Sequence, residues 1–171
     1  MLDENAQKDV DEFVKYVEHY CQLIENRDSV STGEFIKKAA VLLPALYMGA
    51  AKLPMLWTDS DDLIDDYVTT DMAAKVSRDI DGKLGKYSSY WQVFEPYEEE
   101  GEASRGMLFD DFADIYRDLK DALETYKKGT EKDREEALWA WKFGFEHHWG
   151  DHITFALPAV HWLFVEKPFK E

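Results

Sequence analysis

MLFDDFADIYRDLKDALETYKKGT, residues 107 to 130, decides how this chain folds. Leu108, Ile115, Leu119 and Ala122 return at helical spacing and make one apolar stripe, the mark of an amphipathic helix. Gly129 stands where a left-handed residue commonly ends a helix. Thr130, with Asp133 three positions later, then caps another helix. So short a joint predicts that the two helices, the fourth and fifth of the chain, pack antiparallel. The fifth carries Trp139, Trp141, Phe143, Phe145, Trp149 and Leu157 on several sides. A helix apolar all round is usually central. It is expected to reach about Phe164, unless Gly150 or Pro158 bends it.

The same periodicity runs towards the N-terminus. Residues 4 to 26 place Val10, Phe13, Val14, Val17, Tyr20, Cys21 and Ile24 on one stripe. A second helix opens with the capping-box pattern Ser31-Thr32-Gly33-Glu34 and runs to about Lys52, with Pro44 expected to kink it. A third, weaker helix is predicted over 72 to 86, ended by Gly82 and Gly85. Residues 53 to 71 and 87 to 106 read as loops, and no alternating run signals a strand. The expectation is an all-α, single-domain bundle of about five helices spanning 1 to 171.

The totals exclude some function classes. The chain has 171 residues and a net charge of −16. Direct nucleic-acid binding needs a basic patch, and none is present. Such acidity also repels anionic membranes. The apolar run AAVLLPALYMGAA, residues 39 to 51, is too short to span a bilayer and reads as a buried helix. The acidic start lacks the pattern of a secretory signal, and the single cysteine, Cys21, reads as a core thiol. A cytoplasmic protein is expected.

Chemistry concentrates in EHHWGDH, residues 146 to 152. On one continuous helix His148 and His152 share a face, and His147 and Asp151 make a second pair beside them. The fourth helix offers Asp111 and Asp118 on one flank of its stripe, with Asp114 further round. Antiparallel packing brings these carboxylates towards the imidazoles. Three readings follow. In one, Asp111, Asp118, Tyr116, His147 and Asp151 belong to a buried polar cluster, hydrogen-bonded because unpartnered polar groups are costly to bury. In another, His148, His152, Asp111 and Asp118 hold a divalent metal, as bundle cores do. Asp114 would then be a spare ligand or base, and Arg117 a contact for a substrate anion. The full zincin pattern is missing, since Trp149 occupies the position of its glutamate. In the third, the cluster lines a pocket without metal.

DDLID, residues 61 to 65, matches the D-D-x-x-D pattern of isoprenoid synthases, which hold Mg²⁺ against a diphosphate. No second motif accompanies it, and carboxylates at a helix start also favour the helix dipole. Tyr87, Tyr90, Trp91, Phe94 and Tyr97 read as a hydrophobic strap or as the lining of a ligand groove. Glu98 to Glu102 reads as a solvated acidic loop. Phosphate-loop, dinucleotide and nucleophile-elbow motifs are missing.

The segments ALYMGAAKLP, SSYWQVFEPY, DDFADIYRDLK and WAWKFGFEHHWGDH together resemble the bacterial domain-of-unknown-function family 5063, over roughly residues 10 to 164. That resemblance implies a small, mostly helical, cytoplasmic bacterial domain and supplies no activity. The leading expectation is a small soluble binding or adaptor protein without catalytic activity, with a protein or small-molecule partner. The alternative is a metal-dependent hydrolase using the His/Asp site between the fourth and fifth helices.

Overall fold

Apolar periodicity fixes the first half of the molecule. In the computed structural model, which describes residues 2–55, 64–93, 97 and 102–169, α1 covers Glu4–Glu25 and buries Val10, Phe13, Val17, Tyr20 and Ile24. Asp3 caps it by accepting from the Ala6 amide at 2.8 Å. α2 covers Thr32–Lys52, and the Ser31 hydroxyl accepts from the Glu34 amide at its start. Pro44 lies inside α2 without ending it. α3 covers Thr70–Leu84, capped by Thr69. Gly85 follows at φ +55°, a backbone region that suits glycine.

Two short strands then form an antiparallel hairpin, β1 (Ser89–Gln92) and β2 (Ser104–Met107), with Tyr90 opposite Gly106. This corrects the expectation of a strand-free loop over 87 to 106. Four residues per strand are too few for alternation to show in a sequence, and the pairing is non-local. Most of the expected acidic loop Glu98–Glu102 and most of DDLID lie outside the described residues.

β2 leads directly into α4, Leu108–Lys128. Gly129, at φ +91°, closes α4. The Thr130 and Asp133 side chains form a reciprocal capping box that opens α5, Glu131–His147. A sixth helix, α6, covers Trp149–Glu166. The single long fifth helix of the sequence reading is therefore two, and the helices number six among the described residues.

The physical reason lies at Gly150. A Cβ there would stand 2.0 Å from the Phe145 carbonyl oxygen, an approach only glycine permits. The break falls at His148, whose φ −152° and ψ −86° are not helical. Pro158, the other candidate for a bend, stays inside α6. At 1.5 Å per residue, one uninterrupted helix from 131 to 166 would run about 54 Å, whereas α4 is about 31 Å long. Breaking the rod lets both halves lie against α4.

Their contacts run in opposite order to α4. Tyr126 meets Trp141 in a tilted ring contact, the Trp141 indole donates to the Leu119 carbonyl at 3.1 Å, and His152 reaches Asp111. The core beneath is aromatic. Trp141 and Trp149 are fully buried, and both contact the Phe13 ring. The Trp149 indole donates to the Trp141 carbonyl, which satisfies a polar atom that burial would otherwise penalise. Cys21 is buried and burial pushes its thiol up to about 12, in keeping with a packing role.

Candidate functional site

α4 presents aspartates on the side that faces the α5–α6 break. Asp111, Asp114 and Asp118 are spaced by three and four residues, so they rise along one side of the helix. The break at His148 tips His148 and His152 towards that row. The His148 Nδ1 lies 2.6 Å from Asp118 Oδ2. The His152 Nδ1 lies 2.8 Å from Asp111 Oδ1. The two rings meet edge to face at 4.9 Å between centroids. Gly144 lets α5 come close here, because a Cβ at that position would meet the Trp149 indole at 2.8 Å.

With both Nδ1 atoms held by carboxylates, each ring has its Nε2 left for other work. His152 Nε2 stands 3.7 Å from Asp114 Oδ2. One ligand atom each from Asp114, His148 and His152 lie within 4.8 Å of one another. Arg117 brackets this group, with NH2 3.4 Å from Asp114 and Nε 3.9 Å from Asp118. Asp111 is buried, and its second oxygen accepts from the Tyr90 hydroxyl at 2.7 Å.

The electrostatics are lopsided. Asp110, Asp111, Asp114 and Asp118 confront one guanidinium and two imidazoles. Burial, and then the charge of Asp114, raise the Asp110 carboxyl above its ordinary value. The hydrogen bond it donates to Asp118 raises His148 above the usual imidazole value against opposing burial. At His152 burial is the largest influence and acts downward, but the bond and charge of Asp111, with the charge of Asp114, outweigh it. The two imidazole shifts say that the neighbouring carboxylates favour positive charge between the helices.

The expected cluster is thus redistributed. Asp111 and Asp118, expected as ligands, sit on the Nδ1 side of the rings, while Asp114 faces the Nε2 side. Tyr116 does not join: its hydroxyl donates to Glu25 of α1 at 3.2 Å. His147 turns back, with its Nδ1 2.9 Å from the Phe143 carbonyl and its ring stacked on Phe143. His147 and Asp151 are exposed on the rim. They share with Asp110, His148, His152 and Phe155 a cleft of about 390 Å³. A second cleft, about 750 Å³, is lined by Arg117, Asp118, Trp139, Phe143, His147 and His148. The aromatic strap is partly realised. Tyr87 packs on Trp162 and Phe169, and Trp91 is exposed. Sequence reading places Tyr90 in the strap but misses its bond to Asp111, because that partner is 21 positions away across the hairpin.

The family model described as a domain of unknown function, DUF5063, matches residues 4–166. The chain belongs to that family. Among solved structures it is similar to the crystal structure of protein BF1032 from Bacteroides fragilis, at 23% identity with a TM-score of 0.79. That likeness covers 96% of this chain and 94% of the other, and it concerns the fold. No curated protein matches the chain. Among the described residues of this family member, no helix is long and apolar enough to cross a membrane.

Proposed function

We propose that this protein binds a divalent transition metal through His148, His152 and Asp114, and that the centre serves metal-assisted hydrolysis in the adjoining cleft. The observation that carries this reading is the convergence of one ligand atom from each of those three residues within 4.8 Å, with Asp118 and Asp111 bonded at the Nδ1 atoms of His148 and His152. A carboxylate on the far nitrogen of a metal-ligating imidazole fixes its tautomer and raises its basicity. Two His and one carboxylate suit zinc or another first-row ion. Bonds of about 2.0–2.1 Å in a tetrahedral site set ligand atoms about 3.3 Å apart, so binding would draw the trio in by up to about 1.5 Å.

Three protein ligands leave a coordination position open, the arrangement by which a metal lowers the pKa of bound water or polarises a substrate oxygen. Asp110, Asp151 and His147 line the same cleft and are the groups that would handle a proton there. Arg117, already bound to Asp114 and Asp118, supplies the positive charge beside which a developing anion would be held.

Untagged protein should carry or take up Zn²⁺, Mn²⁺, Fe²⁺ or Ni²⁺ at about one ion per chain by elemental analysis. Melting should shift upward on metal addition, and Asp114→Asn with His148→Ala should abolish both effects. No uptake and no shift with any of the four ions would remove the metal centre and leave a non-catalytic binding role in its place.

A further inference from the structure

The hairpin bears on this centre through one side chain. Tyr90 lies on β1 with its hydroxyl 2.7 Å from Asp111 Oδ2, and the other oxygen of Asp111 is 2.8 Å from His152 Nδ1. Asp111 is only 5% exposed, so water does not substitute freely for either partner. Gly106 stands directly opposite Tyr90 in the strand register. A Cβ at Gly106 would lie 2.6 Å from the Tyr90 Cζ and 2.9 Å from its Cε2. The phenol therefore lies across the bare Cα of Gly106 on its way to Asp111. β2 runs without a break into α4, and the Leu108 amide donates to the Ser88 carbonyl at 2.8 Å. The arm is thus tied at its base to the helix that carries the aspartates.

We infer that the hairpin is a positioning arm for the metal centre: Tyr90, given room by Gly106, orients Asp111, which in turn aims the Nε2 of His152 at the ion. This rests on the metal reading above and adds a residue outside the helices. A carboxylate with one oxygen free to rotate would hold the imidazole less firmly. With Tyr90 bonded to Oδ2, Oδ1 is left for His152 alone, and the plane of the carboxylate is set. Tyr90 is a positioning residue that acts through Asp111 and does not touch the metal. Outer partners of this kind typically change metal affinity by about 10–100-fold.

The test uses the full chain with Zn²⁺ affinity measured by chelator competition and Co²⁺ as a spectroscopic probe of the ligand geometry. Tyr90→Phe should weaken Zn²⁺ by about tenfold or more and alter the Co²⁺ visible bands. Gly106→Ala, which pushes the ring aside, should do the same, whereas Tyr97→Phe at an exposed site should change neither. A merely structural tyrosine would lower the melting temperature of the metal-free protein and leave the Co²⁺ spectrum as it was. If wild type binds Zn²⁺ and both Tyr90→Phe and Gly106→Ala bind it equally well with unchanged bands, the arm is overturned and the centre stands. If wild type binds neither ion, both fall together.

Discussion

Among the places where charge lies between helices in this molecule, two are built on opposite principles. At the α1–α3 seam Arg27, which is buried, pairs with Asp79 and donates to the Ile24 carbonyl at 2.8 Å. Lys75 adds a second cation to Asp79 at 2.6 Å, and these two cations lower the Asp79 carboxyl. Charge there is matched from within the chain. At the α4–α6 seam four aspartates outnumber the permanent cations, and two imidazoles rise in pKa to make up the difference. A matched pair is an internal fastening. An unmatched seam with titratable groups is the place where the proposed metal ion would supply the missing positive charge.

The largest effect should come from breaking the geometry of the second seam. Gly150→Ala sets a Cβ against the Phe145 carbonyl, and should lower stability by about 3 kcal/mol or more, since neighbouring backbone must move. Gly82→Ala on α3, where nothing lies within 4 Å, should instead raise stability by about 0.4–1 kcal/mol. Urea unfolding of the two variants beside wild type checks both signs. Equal stability of Gly150→Ala and wild type would mean that the α5–α6 break is not held by that contact.

Next is the matched seam. Arg27→Ala leaves the Ile24 carbonyl without its partner and Asp79 with Lys75 alone, and should cost about 1–3 kcal/mol. His148→Ala, at a side chain 42% exposed, should cost the metal-free protein less than about 1 kcal/mol. Metal uptake should show the reverse ranking: untouched by the first change and lost with the second. An Arg27→Ala variant that gives up its metal would merge the two seams into one.

The smallest effect is one of pH, and its sign separates glue from ligand. Both imidazoles have folded pKa values above 6.5. The stability they contribute without metal is therefore fully present below pH 6.5, and is lost as pH rises through the folded values. Solvent screening keeps it to within about 1 kcal/mol. Metal binds the deprotonated rings, so metal-induced stabilisation should grow across the same window. Arginine stays charged throughout, and the α1–α3 seam should contribute no such slope. Melting curves from pH 5.5 to 8.5, with and without Zn²⁺, check this. Parallel curves would argue that the imidazoles are not the ligands.

The helices were legible because their signals are local. Gly129 and the Thr130–Asp133 box mark the α4–α5 joint unaided, and the apolar stripe of 108 to 122 fixes which face of α4 is buried. Helix geometry also brought Asp111 and Asp118 to His152 and His148. What escaped was three-dimensional. Gly150 and Pro158 were both candidates to bend the helix, and only packing against Phe145 chose between them. Tyr116 shares a helix with the aspartates, yet its hydroxyl points to Glu25 of α1. The pairing of Tyr90 with Asp111 needs the hairpin first, and strands of four residues leave too little pattern to announce one.

The two-residue connection at Gly129 and Thr130 also bears on how the molecule comes together. The His/Asp seam falls between positions 110 and 152, on helices joined by this short link. Closing so small a loop removes little chain entropy, and contacts near in sequence favour rapid assembly. The imidazoles and carboxylates of the proposed centre are thus gathered by a local helical hairpin, while the more distant docking of α1 and α2 supplies the apolar wall behind them.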